Sequence, residues 1–394
     1  MEISTKEAKN TVLAYEKKNG RRIEKAAFFY SKDVLNKQLQ LLASSFPKNT
    51  LHAIAIKTMN HPLVLEHIVS AGFGLEAASI EEVKLAQKAG IANEKIVFDS
   101  PVKTKEEILY CHKNIPGMLL NINCLEELDR YPENFSAKMG LRVNPLVSNG
   151  GGKFFNVSHS SSKFGVPISK KEEILTACLA YENITCIHMH IGSNLNNFDA
   201  NILAISKVKI LADEINEARK GKGISTKIDT IDIGGGIMFD QTSENFKVQD
   251  FAKALSTIED LTNQYQLITE YGNFVHKHTS FAVSNIEYVI DNGNEVPQIA
   301  YLHLGADLFV RKVYSNLNID YPIEVIRKTE KVNSNQQVYN FVGPLCFSGD
   351  ILFENIQLPT LYPYDQLLIM NCGSNTLSMW SSHCSRELPP FIMY

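Results

Sequence analysis

From residue 51 onward, eight short apolar runs alternate with stretches of helical periodicity, and this rhythm constrains the fold more than any other feature. The runs are LHAIAI (51–56), FGLEAA (73–78), KIVFDS (95–100), GMLLNI (117–122), AKMGLRV (137–143), ITCIHMHI (184–191), KIDTIDI (227–233) and QLITEY (266–271). Between most of them lie stretches such as IEEVKLAQKAG and ISKVKILADEINEARKG, whose apolar residues recur on one helical face. Strands joined through helices run parallel, and eight of them close a (β/α)8 barrel of TIM type. The expected class is therefore α/β. Residues 144–172, rich in Gly, Ser and Asn, break the rhythm as a long irregular loop of the functional kind.

The texture changes after about residue 280. FAVSNIEYVI, QIAYLHLG, QQVYNFVG and DQLLIMNCG are β-rich runs with no helix between them, which predicts an antiparallel β-domain. We place the barrel at residues 26–283 and the β-domain at 1–25 together with 284–394.

Composition narrows the function. A net charge of −4 without a long run of one sign leaves no nucleic-acid footprint. No stretch approaches the roughly 18 consecutive apolar residues of a membrane span, and the first residues lack the apolar core of a secretion signal. Seven cysteines include no close C-x-x-C pair. That pattern argues against a disulfide framework or zinc cluster and for a reducing cytoplasm.

In a parallel barrel, reactive groups gather at the C-terminal ends of the strands. Lys57 follows the first run, Glu76 lies near the end of the second, and His190 and Ser193 follow the sixth. Gly234, Gly235 and Gly236 follow the seventh, and Glu270 closes the eighth. Lys57 is either a solvated strand end or a reactive amine. Three glycines serve a tight turn as readily as they expose N–H groups to a phosphate. His188 and His190 share one side of a strand, as core imidazoles or as rings stacked on a flat cofactor; no third ligand has zinc spacing, so no metal is expected. Glu270 is either a buried ion-pair partner or the acceptor for a protonated ring nitrogen. GPLCFSGD (343–350) presents Cys346 and Asp350 on a loop, where a thiol can move a proton. Neither G-x-G-x-x-G nor a P-loop motif occurs, so dinucleotide and NTP binding fall away.

Taken together, FFYSKDVLNKQLQLLASSFP (28–47), AIKTMNHPLVLEHIVSAGFGLEAASIEEV (55–83), LRVNP (141–145), SSKFGV (161–166), HIGS (190–193), IGGG (233–236), EYG (270–272), GPLCFSGD and the later SNTLSMWSS resemble one family. It is the fold-type III pyridoxal-phosphate decarboxylases, which act on diaminopimelate, ornithine and arginine. The pattern looks most like diaminopimelate decarboxylase. The resemblance implies pyridoxal 5'-phosphate in the barrel, an alanine racemase-like two-domain architecture and a head-to-tail homodimer. By position, Lys57 resembles the lysine that carries the cofactor and His190 the residue stacked on its ring. Glu76 lies on the cofactor side, Ser193 and Gly234 to Gly236 resemble phosphate contacts, and Glu270 the partner of the ring nitrogen. Cys346 resembles the thiol that completes the partner's active site near the substrate α-carbon. The implied reaction is decarboxylation, with Cys346 or Lys57 returning the proton.

The chain departs from the family at several points. Glu270, Tyr271, Gly272, Asn273 stand where the family reads Glu-Pro-Gly-Arg, and Gly373, Ser374, Asn375 where it reads Gly-Ala-Tyr. The changes at Asn273 and Asn375 remove contacts to cofactor or substrate; charge-assisted ones contribute about 1.5–3 kcal/mol each. Phe347 replaces an acid that meets a distal ammonium, and Arg311 and Tyr314 in VRKVY resemble a motif for the substrate carboxylate. With Asp350 these form the substrate-side set. The expected substrate is an amino acid or amino-acyl intermediate other than diaminopimelate or ornithine. A racemase or epimerase, and a non-catalytic homologue acting as a binding protein, are the alternatives.

Overall fold

The computed structural model describes residues 2–148, 156–193, 198–236, 238, 247–293, 296–315, 319–328 and 335–394. Part of the expected irregular loop, residues 149–155, lies outside them. The chain forms two compact units, one of residues 39–274 and one of residues 1–38 with 275–394.

Strand β1 (Ala26–Tyr30) belongs to the second unit, and the larger unit opens with β2 (Leu51–Ala55). There follow β3 (Gly74–Ala77), β4 (Ile96–Phe98), β5 (Leu119–Ile122) and β6 (Lys138–Asn144). After the two-residue β7 (Val166–Pro167) come β8 (Ile184–His188), β9 (Thr230–Asp232) and β10 (Gln266–Thr269). All eight runs read from the sequence are strands. They pair in parallel as β5-β4-β3-β2-β10-β9-β8-β6, and β5 then pairs with β6, closing the barrel. Ala53, Val97, Leu119, Cys186 and Ile268, from five strands, form one buried apolar cluster. Such runs are apolar on both faces because side chains meet the barrel interior on one side and the helices on the other.

The helices start where the sequence supplies caps. Ser79 accepts the Glu82 N–H ahead of Ile80–Lys88, and Thr104 with Glu107 forms a capping box ahead of Lys105–Asn114. At the other end of Lys171–Ala180, buried Arg219 donates to the carbonyls of Cys178, Tyr181 and Ile184. One carbonyl of the last helical turn and the cap carbonyl thereby gain a partner.

The smaller unit contains β11 (Ser280–Ile290), β12 (Gln298–Leu302), β13 (Ile323–Ile326), β14 (Gln336–Val342), β15 (Ile351–Pro359), β16 (Gln366–Met370) and β17 (Phe391–Met393). Its sheet runs β13-β16-β11-β12-β14-β15, with β1 pairing β11 and β17. Two pairings, β12 with β14 and β1 with β17, are parallel, so the sheet is mixed rather than wholly antiparallel. The amphipathic helix Thr5–Asn19 packs Ala8 and Val12 against Phe29, Phe281, Leu368 and Met370. The expected boundary at residue 26 is corrected here. AAFFY looks like the first half of a βα repeat, but its register, Ala26 opposite Ser284 to Tyr30 opposite Ser280, ties it to the other unit. Strand pairing is non-local and leaves no mark on local periodicity.

Candidate active site

Every group at the barrel mouth stands at or just beyond the C-terminal end of a parallel strand. Lys57 lies in the single turn Ile56–Thr58 that follows β2, and Glu76 is the third residue of β3, opposite Ala55. Lys57 Nζ meets Glu76 Oε2 at 2.5 Å, with the lysine side chain 50% exposed and the glutamate wholly buried. Desolvation alone would lower the Lys57 pKa; Glu76, Glu270 and Asp99 outweigh it and hold the amine protonated above its ordinary range.

His190 follows β8, and its Nδ1 accepts the Gly235 N–H at 3.1 Å. Burial, reinforced by the charges of Arg142 and Lys57, pushes its pKa down to about 3. The ring is therefore neutral, with its proton on Nε2. The three glycines have a steric reason. A Cβ on Gly235 would lie 2.4 Å from the Glu270 carbonyl oxygen, and one on Gly236 would lie 1.8 Å from that of Gly192. Gly234 and Gly236 also have φ of +64° and +93°. Two of the three N–H groups are already taken: Gly234 donates to Asp232 Oδ1 at 2.9 Å, and Gly235 to His190. The tight-turn and anion readings thus both hold in part, and the Gly236 N–H is the donor those two bonds leave.

Glu270, one residue past β10, is buried beside the Asp232 carboxyl, which it meets in a side-chain hydrogen bond, and no donor faces its Oε1. Burial first, then the charges of Asp232, Glu76 and Asp99, raise its pKa well above the carboxylate range. Asp99 behaves oppositely. Burial would raise it, but Arg142, whose NH1 is 2.9 Å from Oδ2, and then His188 hold it well below the usual range. A barrel mouth carrying Glu76, Asp99, Asp232 and Glu270 against few cations keeps some of these acids protonated.

Sequence reasoning missed Asp99, Arg142 and Asp232 as parts of this site. The strand-end rule that found Glu270 also covers Asp99, since KIVFDS places it just after β4. His188 is read from sequence with His190 as a core imidazole, a ring stacked on a cofactor, or a metal ligand lacking a third partner. The fold brings Asp99 and Glu270 to it, within 4.8 Å of one another. The Arg142 guanidinium already neutralises Asp99, so the group is better satisfied as an ion-pair chain than as a cation site.

Ser193 is exposed just beyond β8. Gly272 is buried so tightly that a Cβ would meet Thr58 at 2.5 Å, and Asn273 is partly buried at the start of Asn273–His276. The remaining expected residues belong to the smaller unit. Cys346 is exposed. Beside it in sequence, Phe347 stacks on Tyr314 with centroids 5.3 Å apart and planes 20° apart. Arg311 and Tyr314 share the turn Val310–Tyr314. Asn375 adopts φ of 54°, a region Asn tolerates, and donates to Ser374 Oγ at 2.8 Å. Asp350 is corrected as a substrate contact. It is 3% exposed, accepting the Ala306 N–H at 2.6 Å and the Leu345 N–H at 2.8 Å. Its carboxylate therefore braces the loop that carries Cys346.

The barrel residues fit pyridoxal phosphate. A half-exposed amine at the mouth, a neutral flat imidazole, the Gly236 N–H and a buried glutamate oxygen that no donor faces are the groups an aldehyde-bearing pyridine phosphate needs.

Comparison with known proteins supports that fit. Residues 32–277 match the pyridoxal-binding domain of the pyridoxal-dependent decarboxylases. A diaminopimelate decarboxylase of Aquifex aeolicus is 26% identical over 365 residues, covering 90% of this chain and 83% of its own. An L-glutamyl-acyl-carrier-protein decarboxylase of Niallia circulans is 24% identical over 383 residues, covering 92% and 87%. Among solved structures, Helicobacter pylori diaminopimelate decarboxylase complexed with L-lysine superposes with a TM-score of 0.82 at 24% identity, covering 96% of this chain and 94% of that one. The chain belongs to the pyridoxal-dependent decarboxylase family and is a pyridoxal-phosphate-dependent amino-acid carboxy-lyase.

Proposed function

We propose that this enzyme decarboxylates an amino acid, free or borne on a carrier, whose side chain lacks the distal ammonium of ornithine or diaminopimelate. The carrying observation is the Phe347–Tyr314 stack beside the exposed thiol of Cys346. An ammonium in contact with that face would lose water without gaining a carboxylate, which is costly. The carrier-protein substrate named for the Niallia circulans relative supports the carrier-borne option. Arg311 would take a carboxylate of the substrate.

When bound, pyridoxal phosphate supplies an electron sink for the bond broken at the α-carbon. The chain does the rest. Lys57 would carry the cofactor, His190 would lie against its ring, and Ser193 with Gly236 and Asn273 would take its phosphate. Glu270 would hold a proton at the ring nitrogen. Glu76 balances the charge of the Lys57 amine whenever it is free, and Lys57 or Cys346 returns a proton to the α-carbon. We infer a homodimer in which Cys346 completes the partner's site, with Asn375 on the cofactor side. We also infer a cytoplasmic setting, where the unpaired cysteines stay reduced.

The test is direct. The purified protein is incubated with pyridoxal phosphate, reduced with borohydride, and the labelled residue mapped. Label on Lys57, followed by carbon dioxide release from an amino-acid panel that includes carrier-borne amino-acyl groups, supports the proposal. Absence of label on Lys57 defeats the cofactor assignment. Preference for ornithine or diaminopimelate defeats the specificity, and α-proton exchange without carbon dioxide release points to a racemase.

A further inference from the structure

Behind Glu270 runs a chain of buried groups drawn from separate strands. His188, the last residue of β8, is fully buried, with Nδ1 3.4 Å from Asp99 Oδ1 and Nε2 3.7 Å from Glu270 Oε2. Asp99 turns its other oxygen to Arg142 NH1 at 2.9 Å. The ring of Phe164 lies 4.5 Å from the Arg142 guanidinium carbon. The segment carrying Phe164 is tied down in turn, since Asn123 accepts the Gly165 N–H at 3.1 Å and donates to the Lys163 carbonyl at 3.0 Å. The chain thus ends on a cation fixed by stacking, and each member is at most 7% exposed.

The order of these groups sets what each can do. A guanidinium keeps its charge throughout the working pH range, so Arg142 holds Asp99 as a carboxylate. A carboxylate facing Nδ1 draws the imidazole proton to that side and fixes the plane of the ring. Nε2 faces Glu270 Oε2 at 3.7 Å, a close contact longer than a hydrogen bond. Lys57, Glu76 and Asp232 are the other charged neighbours of Glu270. Lys57 is paired with Glu76, and Asp232 accepts the Gly234 N–H and also meets the Glu270 carboxyl in a side-chain hydrogen bond. No hydrogen-bond donor faces Glu270 Oε1.

We propose that Asp99 and Arg142 are positioning residues that act through His188 to present Glu270 Oε1 to the ring nitrogen of the cofactor. The proposal rests on the assignment of Glu270 to that nitrogen. Removing the Asp99 charge frees the ring of His188 to turn, and Glu270 then loses its fixed orientation and its hold on the pyridine proton.

The experiment uses holoenzyme reconstituted with pyridoxal phosphate carrying a heavy nitrogen isotope in the ring, read by NMR at neutral pH. The signal expected for the unaltered enzyme is that of a protonated ring nitrogen. Asp99→Asn moves it toward neutral pyridine and lowers kcat by ~3- to 30-fold with little change in KM. Arg142→Lys, which keeps the charge on Asp99, retains most of the protonated signal. Circular dichroism checks folding, and if Asp99→Asn does not fold, His188→Gln carries the same comparison. A ring-nitrogen signal in the folded Asp99 or His188 variant identical to that of the unaltered enzyme overturns the proposal. An unchanged signal in Glu270→Gln overturns the assignment of Glu270 itself.

Discussion

Lys57 Nζ meets Glu76 Oε2 at 2.5 Å at the ends of paired strands, the amine half-exposed and the carboxylate buried. The contact keeps the amine charged, whereas capture of an aldehyde needs it neutral. Loading with pyridoxal phosphate should therefore accelerate as pH rises. Glu76→Gln lowers the lysine pKa and should speed capture at neutral pH, by about ten-fold for each unit removed. Growth of the visible absorbance in stopped flow measures it, and a variant that loads no faster rules out Glu76 as the source of the charge.

Glu270 and Asp99 should shift stability with pH in opposite senses. The Glu270 pKa is raised on folding, so its favourable contribution exists at low pH and is lost as pH rises through the raised value. Glu270→Gln in the cofactor-free protein should raise Tm at mildly alkaline pH, by about 2–4 °C per kcal/mol relieved. The gain should vanish below about pH 4, where the unfolded carboxyl is also protonated.

The Asp99 pKa is depressed, so its stabilisation is present above the unfolded value and lost as pH falls through the folded one. Arg142→Met leaves that carboxylate buried without its guanidinium partner, at a cost of about 3–5 kcal/mol. Urea denaturation at neutral pH should show the loss. A variant as stable as its parent would mean that Asp99 reaches water or another cation.

Gly235→Ala tests whether the glycine run is a packing requirement. Its Cβ would sit 2.4 Å from the Glu270 carbonyl oxygen, which is backbone and has little room to yield. We expect a loss of about 1–3 kcal/mol with weaker cofactor binding, because the same residue donates to His190 Nδ1. Full stability with unchanged cofactor affinity would show that the two strand ends can separate.

Phe347→Asp should leave stability within about 0.5 kcal/mol, since Phe347 is 38% exposed. It should shift the ratio of kcat/KM toward substrates with a distal ammonium. Rates measured on ornithine and on an uncharged amino acid of similar length make the comparison. An unchanged ratio places the specificity elsewhere.

The sequence by itself determined the eight-strand rhythm and, through it, which rim of the barrel carries chemistry. Parallel strands all end on the same side, so Lys57, Glu76, His190, the three glycines and Glu270 were legible as neighbours although they span more than half of the chain. Local pattern could not show which strands pair. AAFFY at 26–30 therefore read as part of the barrel until its register with β11 placed it in the other sheet. Nor could it show which polar groups become buried together. Asp350 looked like a substrate contact and proved to brace its own loop. Asp99 and Arg142 lie 43 residues apart, and His188 joins them only because β8 pairs with β6. Periodicity reports the environment of one residue and its near neighbours. The pairing of buried charges, which sets their protonation, is fixed only when distant strands close into a barrel.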